Sequence, residues 1–353
     1  MKGSENMATK GRTTVYNNIT SEETNKLINP DNIELMEEFL EYLKSIDRSA
    51  QTISSYRSDL LIFFTYVLQN LGNKKFIDIT KREFARFQNH AISDDSGWGW
   101  SPRRVRRVKS AISSMSLFIE NMLDEEEEFS DFKRVINKVE SPAASNVREK
   151  TVLSDDEVQL ILNTLLEKEK YQACCVVAIL AYSGMRKAEL LQMRPEYFDE
   201  DHIVFGSLHQ TELIRAKGRG KNGHQMKKWI MTQGDKYILP WIEKRKELGC
   251  DCEWLFCKKQ NDQWEKLEYI DHYMDLASKI VNKPVYAHSF RHFVCTKLLS
   301  DYNLPSEVVR EFYQWESVEM LKIYNDRSAV DDFGKYFTAN GIQKQEQKSL
   351  SDL

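Results

Sequence analysis

No apolar stretch in this 353-residue chain approaches the roughly 20 residues that a membrane span needs, so no membrane partner is expected. The N-terminus, MKGSENMATKGRTT, has no apolar core of the kind a secretory signal carries, and a reducing, cytoplasmic location is expected. The chain has 6 cysteines and no CxxC pair among them. A zinc site takes about four N or S ligands at tight spacing, and Cys250, Cys252 and Cys257 supply three. Cys174, Cys175 and Cys295 lie in apolar helical runs and read as core. No metal and no cofactor are therefore expected. There is no repeat at a fixed period. There is also no excess of positive charge: 50 Lys and Arg against 54 Asp and Glu leave a net −4, which speaks against a nucleic-acid partner unless the cations cluster.

What remains is an ordinary folded mixture, 41% hydrophobic and 29% charged, long enough for two domains with separate cores. Residues 1–30 are polar, lack periodicity and read as a flexible arm. From there to about 140 the pattern is helical. A helix is expected over Asp31–Ile46 with Asp31 as N-cap, and a second over Ala50–Leu71. Thr80 and Glu83 form a capping box for a third, and Ser101 and Pro102 start a fourth. Arg103, Arg104, Arg106, Arg107 and Lys109 crowd the first turns of that fourth helix. Cations at a helix N-terminus oppose its macrodipole, so local energetics do not place them there. One-signed charge on a helix end is how a protein holds a DNA backbone, and these five are the candidate DNA-binding residues. Residues 141–150 are small and polar and suit a linker.

The second half opens on another capping box, Ser154 with Glu157. Helices are expected over Tyr171–Tyr182, Asp235–Leu248, Glu268–Asn282, His288–Asp301, Ser306–Tyr313 and Ser317–Tyr324. Short strands are expected at His202–Phe205, Glu212–Lys217 and Lys227–Thr232, the last two forming a hairpin with a Gly-rich basic tip. An amphipathic piece over Val330–Thr338 precedes a polar tail at 341–353.

The chemistry concentrates in His288–Tyr324. His288 and Arg291 are one helical turn apart and share a face. Trp315 and Tyr324 follow, nine residues apart. Neither metal-ligand spacing nor a Ser or Cys paired with a base occurs in this stretch. An Arg and a His beside a tyrosine hydroxyl suit phosphoryl transfer with Tyr as nucleophile. Guanidiniums clamp phosphate oxygens, and His accepts a proton.

These residues resemble the tyrosine recombinases, the phage integrase class of site-specific DNA recombinases. Gly184-Met185-Arg186-Lys187-Ala188-Glu189-Leu190 is similar to the box carrying the family's first catalytic Arg. His288-Ser289-Phe290-Arg291-His292 is similar to its HxxR box. Trp315 stands where the family has His or, less often, Trp, and Gln314 stands where it has Gly. Tyr324 stands at the nucleophile position. The resemblance implies a mainly α fold with a small antiparallel β-sheet. It has an N-terminal helical core-binding (SAM-like) domain at 31–140 and a C-terminal α+β catalytic domain at 151–340 that ends in an oligomerisation helix. It further implies catalytic roles for Arg186, Lys217, His288, Arg291, Trp315 and Tyr324, with Glu189 in support. Lys217 is the best match for a hairpin general acid, with Lys221, Lys227 and Lys228 nearby. The implied activity is cleavage and rejoining of double-stranded DNA through a 3′-phosphotyrosyl intermediate, without metal or ATP. Strands would be exchanged through a Holliday junction in a homo-tetramer, for integration or excision of a mobile element. A type IB-like topoisomerase, a telomere resolvase, or an inactive DNA-binding regulator on the same scaffold are the alternatives.

Overall fold

The computed structural model describes residues 19–94, 97–143, 151–216, 223–256 and 267–324, with two short strands at 337–338 and 341–342. Its described residues fall into two units, one before and one after residues 144–150.

The first unit is all helical: α1 (Glu22–Leu27), α2 (Pro30–Ser45), α3 (Ala50–Asn70), α4 (Lys81–Ile92) and α5 (Pro102–Met122). The apolar stripes read from the sequence meet in one core. Phe63 stacks on Phe84 and meets Phe76 and Phe87 edge-on. Two corrections apply to the stretch read as an arm. Residues 22–27 form a helix capped by Ser21, and Ile28 is buried in the core. The second helix is capped by Asn29, not Asp31, with Pro30 in its first turn, where a missing N–H costs nothing.

In the second unit, α6 (Asp155–Glu167) leads to α7 (Tyr171–Ser183), whose residues from Ala173 to Ala181 are all buried. Around α7 pack α6, α9 (Asp235–Glu247), α10 (Glu268–Val281) and α11 (Ala287–Thr296). The apolar run Ala-Cys-Cys-Val-Val-Ala-Ile-Leu-Ala has no polar face, and a helix of that kind is stable only when enclosed on all sides. A single turn, α8 (Lys187–Leu190), follows it, and α12 (Ser306–Tyr313) and α13 (Leu321–Tyr324) close the unit.

The strands depart from expectation in detail. Three form one antiparallel sheet in the order β1 (Ile203–Val204), β2 (Leu208–Gln210), β5 (Trp229–Met231). A separate hairpin pairs β3 (Ile214–Ala216) with β4 (His224–Met226). β2 and β4 were not anticipated. Their sequences, LHQ and HQM, are too short and polar to show alternation, and backbone pairing defines them. The helix expected over His288–Asp301 ends at Thr296 and continues as a π-helical turn, Lys297–Asp301. The stretch Ser317–Tyr324 is a 3-10 turn, Val318–Met320, running into α13. Within Val330–Thr338, Phe337–Thr338 is a strand, β6, paired with β7 (Gly341–Ile342), so the helical spacing does not extend there. Residues 330–336 lie outside the described residues, as do Lys217, Lys221 and Cys257.

Candidate active site

Four elements bring Arg186, Glu189, His288, Arg291, Trp315 and Tyr324 together. α7 stops at Gly184, which takes the left-handed conformation (φ 61°) as its C-cap. Arg186 then caps α8. Its backbone N–H donates to Glu189 Oε2 at 2.8 Å, and its Nη1 donates to Oε1 at 3.0 Å. Glu189 is 1% exposed. Burial alone would raise its pKa. Lys228, the Arg186 N–H and the two arginines outweigh that and hold the carboxyl below its usual range.

Arg291 comes from α11 and is fully enclosed, at 1% exposure. Its Nη1 donates to the Gly184 carbonyl at 2.7 Å. The guanidinium lies over Tyr313, Trp315 and Tyr324, at 4.4, 5.1 and 5.3 Å from the ring centroids. No carboxylate lies within salt-bridge distance of it among the described residues. Its Nε and Nη2, like Trp315 Nε1 and Tyr313 Oη, are buried without a hydrogen-bond partner there. The three rings form a stack: Tyr313 on Trp315 at 4.5 Å, and Trp315 on Tyr324 at 4.9 Å.

Tyr324 is 6% exposed, and its carbonyl accepts from Thr296 Oγ1. Two imidazoles face its ring, His288 at 5.2 Å and His292 at 4.9 Å. His288 is exposed, yet loss of solvent on its protein side, then His292, Arg291 and Arg186, push its pKa from 6.5 down to about 4. His288 in the DNA-free protein is therefore expected to stay neutral between about pH 5 and 8. The folded pKa lies below the unfolded one. The contribution to stability is therefore present above 6.5 and is lost as pH falls from 6.5 toward about 4. An NMR titration of the His288 ring with a midpoint near 6.5 would contradict this.

Several residues packed around the site were not assigned from the sequence. His292 is four residues after His288 on one helix face, and that spacing could have flagged it. Tyr313 had no signal beyond being aromatic. Gln314 takes a left-handed conformation (φ 50°) at the end of α12, and its Nε2 donates to the Lys227 carbonyl. Lys228, named only as a neighbour of Lys217, is buried, with Nζ 3.3 Å from Glu189 Oε1. Lys227 is exposed and bonded to Gln210.

Gly184 supports both arginines. A Cβ there would lie 2.5 Å from Tyr313 Oη, and the positive φ adds strain for any other residue. Gly184→Ala is expected to cost about 1–3 kcal/mol in thermal or denaturant unfolding. Wild-type stability in that variant would show that the turn tolerates a side chain.

In the first unit the five cations of α5 do not stand alike. Asp59 is buried, and Arg104 Nη1 and Arg107 Nε bind its two oxygens at 2.6 and 3.2 Å. Lys109 bonds to the Val139 carbonyl and Ser141, and Arg106 Nε donates to the Pro142 carbonyl. Arg103 is exposed and pairs with none of the described residues. Four of the five thus also hold parts of the protein in place.

A family model described as the phage integrase family matches residues 151–330. The chain is 27% identical over 282 residues to the SPbeta prophage-derived recombinase-like protein YomM of Bacillus subtilis (strain 168), covering 79% of this chain and 81% of that protein. It is 24% identical over 297 residues to a tyrosine recombinase of Thermosipho africanus (strain TCF52B), covering 82% and 94%. Among solved structures, XerH site-specific recombinase bound to palindromic difH substrate in a post-cleavage complex superposes with a TM-score of 0.62 at 16% identity, over 88% of this chain and 90% of that one. A lambda integrase (75–356) dimer bound to a COC′ core site gives 0.59 at 16%, over 84% and 96%. The two-domain, mainly helical fold with small antiparallel sheets is shared with these structures.

Proposed function

Because the chain belongs to the phage integrase family of tyrosine site-specific recombinases, we propose that it cleaves and rejoins DNA with Tyr324 as nucleophile. The observation that carries this is the set of buried donors around Tyr324. Arg291 Nε and Nη2 and Trp315 Nε1 have no partner among the described residues and lie beside the tyrosine. Buried donors of this kind call for an acceptor, and a phosphate offers several oxygens in one place.

In the proposed reaction a phosphodiester enters between Arg186 and Arg291. The two guanidiniums bind its non-bridging oxygens, and Trp315 Nε1 donates to one of them. Tyr324 Oη attacks phosphorus, and its proton passes to His288, which is neutral in the DNA-free protein and whose lowered basicity the negative charge of the entering phosphate would raise. The P–O5′ bond breaks, the O5′ atom takes a proton from a lysine of the β3–β4 hairpin, proposed as Lys217, and a 3′-phosphotyrosyl ester remains. Attack on that ester by a 5′ hydroxyl from another strand reverses the steps and completes an exchange. The ester conserves the energy of the bond it replaces, so the exchange needs no nucleotide to drive it. Glu189 orients Arg186. In the first unit, the α5 face would hold the DNA backbone, with Arg103 the cation least engaged elsewhere.

The domain boundaries, with a helical DNA-binding part to about 140 and a catalytic part from about 151, belong to this proposal. So does a role in integration or excision of a mobile element. Assembly into a tetramer on a Holliday junction, through residues after Tyr324, is proposed too. Relatives of the fold have been solved as a lambda integrase tetramer bound to a Holliday junction. Truncation after Asn325 is expected to abolish higher-order assembly on DNA in native gels and to leave single-copy binding intact. Unchanged assembly would remove the proposal.

The test of the main reading uses a library of nicked duplexes. The nick lets the short fragment that carries the new 5′ hydroxyl diffuse away and stalls rejoining. Wild-type protein should become covalently attached to DNA, and sequencing the captured strands would reveal the site. Failure of the wild type to capture any strand would defeat the reading.

A further inference from the structure

Lys228 lies where three parts of the site meet. Its backbone is pinned from both sides: its N–H donates to Thr211 Oγ1 at 2.9 Å, and its carbonyl accepts from the Thr211 N–H at 2.9 Å. The preceding carbonyl, of Lys227, accepts from Gln314, next to Trp315. The side chain runs inward, 6% exposed, to Glu189. A lysine is almost never enclosed to this degree unless it is paired, and the pairing here is shared. Glu189 Oε1 accepts both from Lys228 and from Arg186 Nη1.

The charge count decides what this does. Arg186 and Glu189 alone would form a closed pair, with the guanidinium neutralised by a carboxylate that has no other cation. Arg186 would then have little net charge to offer a phosphate. With Lys228 on the same oxygen, one carboxylate is divided between two cations, and one positive charge stays unspent beside Arg291. Burial lowers the pKa of the Lys228 ammonium, Glu189 opposes this, and Arg291 and Arg186 add to it.

Resting on the reading above, we infer that Lys228 is a positioning residue for strand cleavage: by sharing Glu189 Oε1 it leaves the Arg186 guanidinium only partly neutralised and aimed at the scissile phosphate. It acts through Arg186 and is distinct from the lysine that protonates the leaving oxygen.

Single-turnover cleavage of a nicked duplex, scored as covalent adduct, tests this. Lys228→Met should slow cleavage on the order of 10²-fold, the cost of a small misplacement of a clamping group, and leave DNA affinity within a few-fold. Lys228→Arg, which keeps the charge, should stay within about ten-fold of wild type. Lys228→Gln keeps a hydrogen bond to Glu189 without the charge and should match Lys228→Met. It carries the test if the methionine variant does not fold.

Two further arms separate the role from its alternatives. A substrate with sulfur in place of the bridging 5′ oxygen releases a thiolate that needs no proton donor. It should rescue a variant of the general acid and fail to rescue Lys228→Met. Rescue would make Lys228 the proton donor and overturn the assignment. Combining Lys228→Met with Glu189→Gln should slow cleavage by much less than the product of the two separate losses, since both act through one oxygen. Multiplicative losses, or wild-type cleavage by Lys228→Met, would overturn it as well. Covalent capture by the wild type in the same assay keeps any of these failures separate from failure of the recombinase reading.

Discussion

Tyr324→Phe should bind DNA as the wild type does and capture none of it. Removing one oxygen deletes the proposed nucleophile and little else. The ring keeps its stack on Trp315 at 4.9 Å and its contacts with His288, His292 and the Arg291 guanidinium. Folding should therefore be preserved, and the loss confined to chemistry. Loss of a sole nucleophile costs on the order of 10⁴-fold or more in rate. On nicked duplexes the covalent band should vanish from denaturing gels while the mobility shift on native gels persists. Residual adduct in this variant would place the nucleophile on another hydroxyl, and Tyr313, stacked on the far side of Trp315, is the first to examine. This outcome also decides against an inactive scaffold, which would show no adduct from either protein.

Arg291→Met should make the DNA-free protein more stable and nearly inactive. The guanidinium is fully enclosed, and among the described residues it has one hydrogen bond, to Gly184, three aromatic faces and no carboxylate within reach. Burying a charge costs several kcal/mol, and only part of that is returned by rings and a carbonyl. Methionine has a similar length and packs well against aromatic rings. The exchange removes the desolvation cost and leaves the Gly184 carbonyl without its donor. The net gain expected is about 1–2 kcal/mol in denaturant unfolding. Cleavage should fall by about 10²- to 10³-fold, the cost of losing one pre-placed donor to a developing charge. Stability and rate moving in opposite directions would identify Arg291 as a group held against the preference of the fold for the sake of an anion. If the variant were instead less stable, the cation–π contacts would outweigh the desolvation cost, and that argument would fail.

The sequence made the helical content legible because helices carry their own punctuation. Thr80 with Glu83, Ser101 with Pro102, and Ser154 with Glu157 each mark a start that the structure shows. The helix at Glu22–Leu27 was missed because its residues bear no apolar stripe, and its only cap signal, Ser21, sits among other polar residues. β2 and β4 were missed for a related reason: three-residue strands owe their existence to a partner's backbone, which composition does not encode. Within the site, the residues proposed to react were picked by type and spacing. Of those that hold them, Glu189 was picked as well, and Lys228 was not. Nothing local to Lys228 says that its ammonium turns inward to Glu189 while Lys227 beside it faces solvent. That difference arises from the pairing of Thr211 with Lys228, 17 residues apart in sequence. The α5 cations show the converse. Their crowding was visible, but the buried Asp59 that holds Arg104 and Arg107 lies on α3 with no mark in its neighbourhood.

Arg186 and Arg291 come from stretches a hundred residues apart, yet both are referenced to one peptide. Gly184 ends α7, receives the Arg291 guanidinium on its carbonyl, and stands two residues before Arg186. A shift of the α7 C-terminus therefore bears on both guanidiniums, on Arg186 through the chain and on Arg291 through one hydrogen bond. The constraint falls on the length of one turn. A single residue inserted between Gly184 and Arg186 would separate the two halves of the proposed clamp, and a variant carrying it should bind nicked duplex and capture none of it.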